Sequence, residues 1–340
     1  MNSQMFKEVR SVPEIVMRQL DAAREPFTQL AARLRAHPPT QVLTIARGSS
    51  ACAAHYLRCL LMARCGRPAW PLPLSLMTQH EAPVDTRDWM AVAISQSGQS
   101  PDLIDSMQRC RDGGSRTLAL VNDIDSPLAG TSEWALDLEA GVELSVAATK
   151  SFIASMVAGA LLAAYWHHDE ELRHGLGSLP QALHLAERLS WNAAVDVLAP
   201  ANRLMVVGRG FSLPAAQEAA LKLKETCALQ AEAFSGAEIM HGPMSLIDKG
   251  YPLLIFATRG PSLPGLVTLA QQMRERGARV LLAAPEEVAQ RDLTLPTTAL
   301  PELDPLAAVQ AFYGFAATLA EARGLDPDRP RHLSKVTRTH

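Results

Sequence analysis

The sequence predicts an α/β protein of two similar units in tandem, each a parallel sheet covered by helices on both faces in a flavodoxin-like three-layer arrangement. Three observations carry this expectation. Short apolar runs of strand length alternate with longer stretches of helical spacing. Brief loops rich in glycine and serine join each strand to the helix behind it. The landmarks of the first half also recur in the second: Gly48 and Gly210 lie 162 positions apart, as do Gly98 and Gly260, and Gly114 and Gly277 follow at 163. A fixed offset over three landmarks marks an internal duplication. The expected division is a helical segment over 1–36, a first unit over 37–170, a helical connection over 171–200, a second unit over 201–325 and a tail over 326–340.

Taken in order, residues 5 to 36 carry apolar positions at helical spacing, punctuated by Pro13 and Pro26, and read as two helices. Val42–Ala46 is a strand, Arg47-Gly48-Ser49-Ser50 a loop and Ala51–Cys65 a helix. Met90–Ile94 is a buried strand, followed by a helix that Pro101 and Asp102 open in the manner of a first helical turn. Strands follow at Thr117–Val121 and Trp134–Leu138, and Val146–Lys150 leads into an uncharged helix from Ser151. The second series restarts at Arg203–Gly210, with further strands at Leu253–Ala257 and Val280 onward.

Composition bounds the function. The chain has 340 residues, 48% apolar and 20% charged, which suits a globular protein large enough for two cores. A formal net charge of −3 gives no reason to expect nucleic acid or an anionic membrane as partner. Five cysteines without C-x-x-C spacing read as reduced thiols. With no apolar leader at the N-terminus and no run long enough for a bilayer, a cytoplasmic protein is expected. The run His167-His168-Asp169-Glu170-Glu171 is not expected to hold a metal, because neighbouring helical histidines diverge and no further ligand lies at a useful spacing. No cofactor is called for.

The chemistry concentrates at Ser95-Gln96-Ser97-Gly98-Gln99-Ser100, between a buried strand and a helix start. Glycine lets backbone approach a ligand, hydroxyls donate without charge, and the helix end offers unpaired N–H groups, so the loop suits a phosphate ester. It contains no lysine and is not a Walker-type cradle. The corresponding stretch of the second half, Ala257-Thr258-Arg259-Gly260, lacks the hydroxyl series, so one phosphate site per chain is expected, in the first unit.

Six segments in order, Gly48-Ser49-Ser50, Ser95–Gly98, Val146–Lys150, Leu221-Lys222-Leu223-Lys224-Glu225, Glu238–Pro243 with His241, and Pro330–Lys335, resemble the sugar isomerase (SIS) domain pair found as the isomerase half of glucosamine-6-phosphate synthase. The resemblance covers about Met5 to Lys335. It implies that Gly48, Ser49, Ser50, Ser95, Gln96, Ser97 and Ser100 hold a sugar phosphate, with Val146, Ala147 and Lys222 beside the sugar. It further implies that Glu225 moves a proton between C1 and C2, that His241 opens the ring from the neighbouring subunit of a homodimer, and that Lys335 forms an imine with the ketose. From the residues alone, Glu225 could equally pair with Lys222, His241 could be a turn residue and Lys335 a solvated tail residue. Met240 departs from the synthase pattern, which has lysine before His-Gly-Pro.

No glutamine-hydrolysing segment precedes the pair, so the expected reaction needs no ammonia donor: glucosamine 6-phosphate and water to fructose 6-phosphate and ammonia, as in the stand-alone SIS-type deaminases. The alternatives are another SIS isomerase, deaminase or deglycase on a related amino-sugar phosphate, a glutaminase-less relative of the aminotransferase, and a sugar-phosphate sensor without catalysis.

Overall fold

In the computed structural model, which describes residues 3–335, the chain forms two compact units. The helices α1 (Gln4–Arg10) and α2 (Val12–Ala36) come first. Their break falls at Ser11, whose hydroxyl donates to the Glu8 carbonyl (2.7 Å) and closes α1. Pro13 sits in the first turn of α2, where no N–H is needed. Pro26, by contrast, is carried inside α2.

The first series then runs β1 (Gln41–Ile45), α3 (Gly48–Cys65), β2 (Ala69–Pro71), α4 (Leu74–Thr78), β3 (Trp89–Ser95), α5 (Pro101–Asp112), β4 (Arg116–Val121), α6 (Pro127–Thr131) and β5 (Trp134–Asp137). A long loop leads to α7 (Lys150–Trp166), and α8 (Glu170–Ala186) and α9 (Asn192–Leu198) form the connection. The second series is β6 (Arg203–Gly208), α10 (Ser212–Cys227), β7 (Gln230–Ser235), two 3-10 turns (Glu238–His241 and Pro243–Leu246), β8 (Pro252–Phe256), α11 (Leu263–Glu275), β9 (Arg279–Ala284), β10 (Leu293–Thr294) and α12 (Asp304–Ala322).

One unit holds Glu14–Glu143, Lys150–Gly177 and, of the described tail, Ser334 and Lys335. Its five strands are all parallel, in the order β2-β1-β3-β4-β5. Continuous apolar strands follow from burial on both faces: Met90 to Ile94 are fully covered, and Leu43, Ile45, Ala91 and Ala93 pack against Leu103 and Met107 of α5. Beyond Lys150, α7 carries no charge and is buried almost all round, which is why it needs no polar face.

The other unit holds the described residues 3–13, the loop Leu144–Thr149 and Ser178–Leu333. Its parallel sheet runs β10-β9-β8-β6-β7, the same connectivity as the first. The duplication read from the landmark glycines is therefore a duplicated topology. Here α1 packs with α12, and Gln310 Nε2 donates to the Val9 carbonyl (2.8 Å). Among the described residues no helix is long and apolar enough to cross a membrane.

Candidate active site

The hydroxyl-rich loops stand at the carboxyl edge of the first sheet. β1 ends at Ile45 and α3 begins at Gly48, so Ser49 and Ser50 occupy the first turn of a helix, where N–H groups lack an intrahelical acceptor. β3 ends at Ser95 and α5 begins at Pro101, leaving Gln96 to Ser100 as the loop between them. β1 and β3 are neighbours at the point where this strand order reverses, the position at which open α/β sheets bind ligands. Two helix N-termini, each carrying partial positive charge, thus open at one edge.

Gly98 is required twice over. Its φ is +61°, and a Cβ would lie 2.0 Å from Ser126 Oγ. The Gly98 N–H donates to Ser95 Oγ (3.0 Å) and the Gln99 N–H to Ser97 Oγ (3.3 Å), so the hydroxyls brace the loop. Arg47 Nε donates to the buried Asp102 carboxylate (2.9 Å), tying the start of α3 to the start of α5. Gln96, Ser97 and Ser100 are half-buried, as are Ser49 and Ser50, whereas Gly48 is exposed at φ +53°.

The same unit brings Lys335 to Glu143. Lys335 Nζ donates to Glu143 Oε2 (2.8 Å), and Glu143 also accepts from the Ser151 hydroxyl (2.7 Å) and the Ser151 N–H (3.1 Å) at the start of α7. The Glu143 side chain is fully shielded and that of Lys335 is 25% exposed. Lys335 is therefore paired rather than a freely solvated tail residue. Sequence reading missed Glu143; its one signal was an acidic residue ahead of a helix start. Lys150 is also buried, its ammonium donating to the Val142 carbonyl (2.7 Å).

The second unit gathers a different cluster. Glu218, Lys222 and Glu225 share one face of α10, and Lys222 Nζ donates to Glu225 Oε2 while lying 3.7 Å from Glu218. Lys222 and Glu218 are wholly buried, and Glu218 accepts from the Tyr313 hydroxyl (2.9 Å). Lys222 accordingly presents no open surface for direct ligand contact. Glu225 does pair with Lys222, as the helical spacing allowed, yet its side chain stays 21% exposed. It lines a cavity of about 330 Å³ together with Lys224, Arg329, Arg331 and His332. The pairing fixes the carboxylate and leaves it open on one side.

His241 ends the 3-10 turn after β7; it is exposed and does not line the Glu225 cavity. Met240 beside it is 54% exposed. Val146 is half-buried and Ala147 buried, in a loop held by Glu8, whose carboxylate accepts from the Leu144 N–H (2.5 Å) and the Ser145 hydroxyl.

The His167–Glu171 run is spent on structure, with Asp169 and Glu171 both accepting from Arg64. Among the described residues no group of three or more His, Cys, Asp or Glu is arranged to hold a metal ion. Burial pushes the Cys65 thiol up to about 12 and those of Cys110 and Cys227 to about 11, so none is a thiolate near neutral pH.

A family model for the SIS domain matches residues 37–165 and 197–302. A provisionally assigned phosphosugar isomerase from Silicibacter pomeroyi is 38% identical, with 96% of this chain and all of that one covered at a TM-score of 0.91. The glutamine–fructose-6-phosphate aminotransferase of Symbiobacterium thermophilum is 32% identical over 97% of this chain and 58% of its own length. The chain spans about half the length of the curated relatives it matches. Glucosamine-6-phosphate deaminase from Thermotoga maritima shares the fold, at a TM-score of 0.79 and 20% identity over 99% of this chain and all of that one.

Proposed function

The chain belongs to the SIS domain family, and from that premise we propose that it is an amino-sugar-phosphate isomerase whose specific reaction is the deamination of glucosamine 6-phosphate to fructose 6-phosphate and ammonia. The observation that carries the proposal is Glu225, a carboxylate held by a buried lysine at the wall of a cavity that Lys224, Asp326, Arg329 and Arg331 also line. A C1–C2 proton shift needs one positioned base that removes the proton from one carbon and returns it to the other. The 6-phosphate sits on Ser49, Ser50, Ser95, Ser97, Ser100 and the two helix N-termini, oriented by neutral donors and backbone dipoles.

Ring opening falls to His241, which can take the proton from the C1 hydroxyl and return one to the ring oxygen. Its exposed position, away from the Glu225 cavity of its own chain, supports a homodimer in which it serves the partner's site. Lys335 supplies an amine for imine chemistry at C2, a group that plain aldose–ketose isomerisation does not need. That is what favours deamination within the family. The second reading, isomerisation of a phosphosugar without nitrogen, is favoured by the Silicibacter pomeroyi relative.

Ammonia release from glucosamine 6-phosphate, with fructose 6-phosphate followed as co-product, tests the choice. Stoichiometric appearance of both is expected, with a loss of at least roughly 1,000-fold in Glu225→Gln when the proton-transferring group is removed. Interconversion of glucose and fructose 6-phosphates without ammonia release would establish the second reading instead.

A further inference from the structure

We propose that Glu143 is the proton acceptor and donor for Lys335, making the two a catalytic pair for imine formation and hydrolysis at C2; this rests on the amino-sugar-phosphate reading above. The geometry is that of a built pair. The Glu143 carboxylate is shielded from solvent, yet both of its oxygens are engaged: Oε1 takes the Ser151 N–H, and Oε2 takes the Ser151 hydroxyl and the Lys335 ammonium. Ser151 is the second residue of α7, a 17-residue helix, so its N–H, which has no intrahelical acceptor, and the helix dipole hold the carboxylate in place. A buried carboxylate has a high desolvation cost and needs such partners. Lys335, in contrast, keeps a quarter of its side chain open, the side from which a sugar carbonyl can reach Nζ. Both residues lie in the unit that carries Ser95 to Ser100.

An ammonium cannot attack a carbonyl. When a sugar displaces the remaining water around Nζ, the ion pair loses solvation, and a proton can pass from Nζ to Oε2 along the existing hydrogen bond. The Nζ lone pair then forms the N–C2 bond while the C2=O π pair moves to oxygen. One N–H proton passes to that oxygen, giving the neutral carbinolamine. The Glu143 carboxylic acid next returns its proton to the hydroxyl, the C2–O bond breaks, and water leaves. The products are a C2=N iminium, a restored carboxylate and one water, with no other reactant needed. In the deamination direction the same iminium arises when Nζ displaces ammonia from C2, and hydrolysis retraces the steps above. The Ser151 bonds position the carboxylate for both transfers.

The test is reductive trapping of fructose 6-phosphate on Lys335 with cyanoborohydride, followed by peptide mass, in wild type, Glu143→Gln and Lys335→Ala. The amide introduced by Glu143→Gln keeps the shape of the carboxylate and can still accept from Ser151, so the fold is retained, and affinity for inorganic phosphate serves as the check. Wild type is expected to label on Lys335, and Lys335→Ala to stay unlabelled. In Glu143→Gln the rate should fall by roughly 100-fold at pH 7, the usual scale for a lost acid/base group. It should then climb steeply with pH as hydroxide replaces the missing acceptor, with phosphate affinity unchanged. Labelling of Glu143→Gln within about threefold of wild type at pH 7, with the same pH profile, would overturn the role of Glu143 and leave the function intact. No labelling of wild type, in a protein that binds phosphate, would overturn the imine step and the pair with it.

Discussion

The two copies of the duplicated unit keep the same backbone and spend the same loop on different tasks. Gly48 and Gly210 have φ of +53° and +58°, and Gly114 and Gly277 have +88° and +87°, so turns from strand to helix and from helix to strand are both preserved. After the third strand of each unit the chemistry parts. In the first copy, Ser95 and Ser97 brace a loop that leaves Gln96, Ser97 and Ser100 half-buried at the sheet edge. In the second, Arg259 occupies the position of Ser97, and its guanidinium binds both oxygens of the buried Asp304 (2.8 and 2.7 Å) and the Thr298 carbonyl (2.7 Å). A side chain of the protein fills the place that an anion's partner would need. One copy holds its loop open; the other closes it with an ion pair. A duplicated scaffold can therefore commit the same loop to an internal ion pair in one copy and not in the other.

The largest effect that separates the copies is expected from glycine. Gly98→Ala forces a left-handed residue and an overlap with Ser126, together costing about 4 kcal/mol and abolishing sugar-phosphate binding. Gly260→Ala meets nothing within 4 Å, so only the backbone strain at φ +115° remains, roughly 1–2 kcal/mol. Urea unfolding of both variants measures the difference, and equal losses would refute the assignment of Gly98 to close packing.

Next comes a crossed pair of substitutions. Arg259→Ala leaves the buried Asp304 carboxylate with only the Thr298 N–H and hydroxyl, and roughly 3 kcal/mol of stability should go while phosphate affinity stays. Ser97→Ala should weaken sugar-phosphate affinity by about 1 kcal/mol and leave the urea midpoint alone. Calorimetric titration with fructose 6-phosphate beside denaturation separates the two. If Arg259→Ala also lowered that affinity, the division of labour between the copies would be wrong.

Much of this division was legible in the sequence because it lies in local patterns. The strands buried on both faces announce themselves as apolar runs, and the landmark glycines mark left-handed turns that no other residue adopts cheaply. β7 was not legible as a strand: it is an edge strand whose Glu232 faces solvent, so Ala-Glu-Ala-Phe shows no continuous apolar run. The association of α1 with α12 depends on contacts 301 positions apart, such as Val9 with Gln310, and no local period encodes that. Among site residues, the serines and Glu225 stood in recognisable loops and helix faces. Glu143 did not, because its meaning comes from Lys335, which is 192 positions away.

The smallest difference between the copies is at the ends of α3 and α10, and it is the most direct measure of strain left by the duplication. Cys65 and Cys227 close these helices, again 162 positions apart, and their thiols point at the carbonyls of Ala163 and Ala316. The next residue is Gly66 in one copy and Ala228 in the other, at φ +60° and +50°. Both donate their N–H one turn back, to Leu61 and Leu223, and the residues after them, Arg67 and Leu229, donate to the same carbonyls at 2.9 and 3.1 Å. This is one left-handed cap built once with the residue that suits it and once without. An alanine there costs about 1–2 kcal/mol of backbone strain. Replacing it with glycine returns that energy but also loosens the unfolded chain by about 0.4–1 kcal/mol, so Ala228→Gly should stabilise by roughly 0.5 kcal/mol. Gly66→Ala should destabilise by a similar amount. Opposite signs in urea midpoints at unchanged slope are the expected result. A loss of stability in Ala228→Gly would mean that the alanine methyl makes a contact worth more than the strain, and that the second copy has repacked its helix end rather than merely tolerated it.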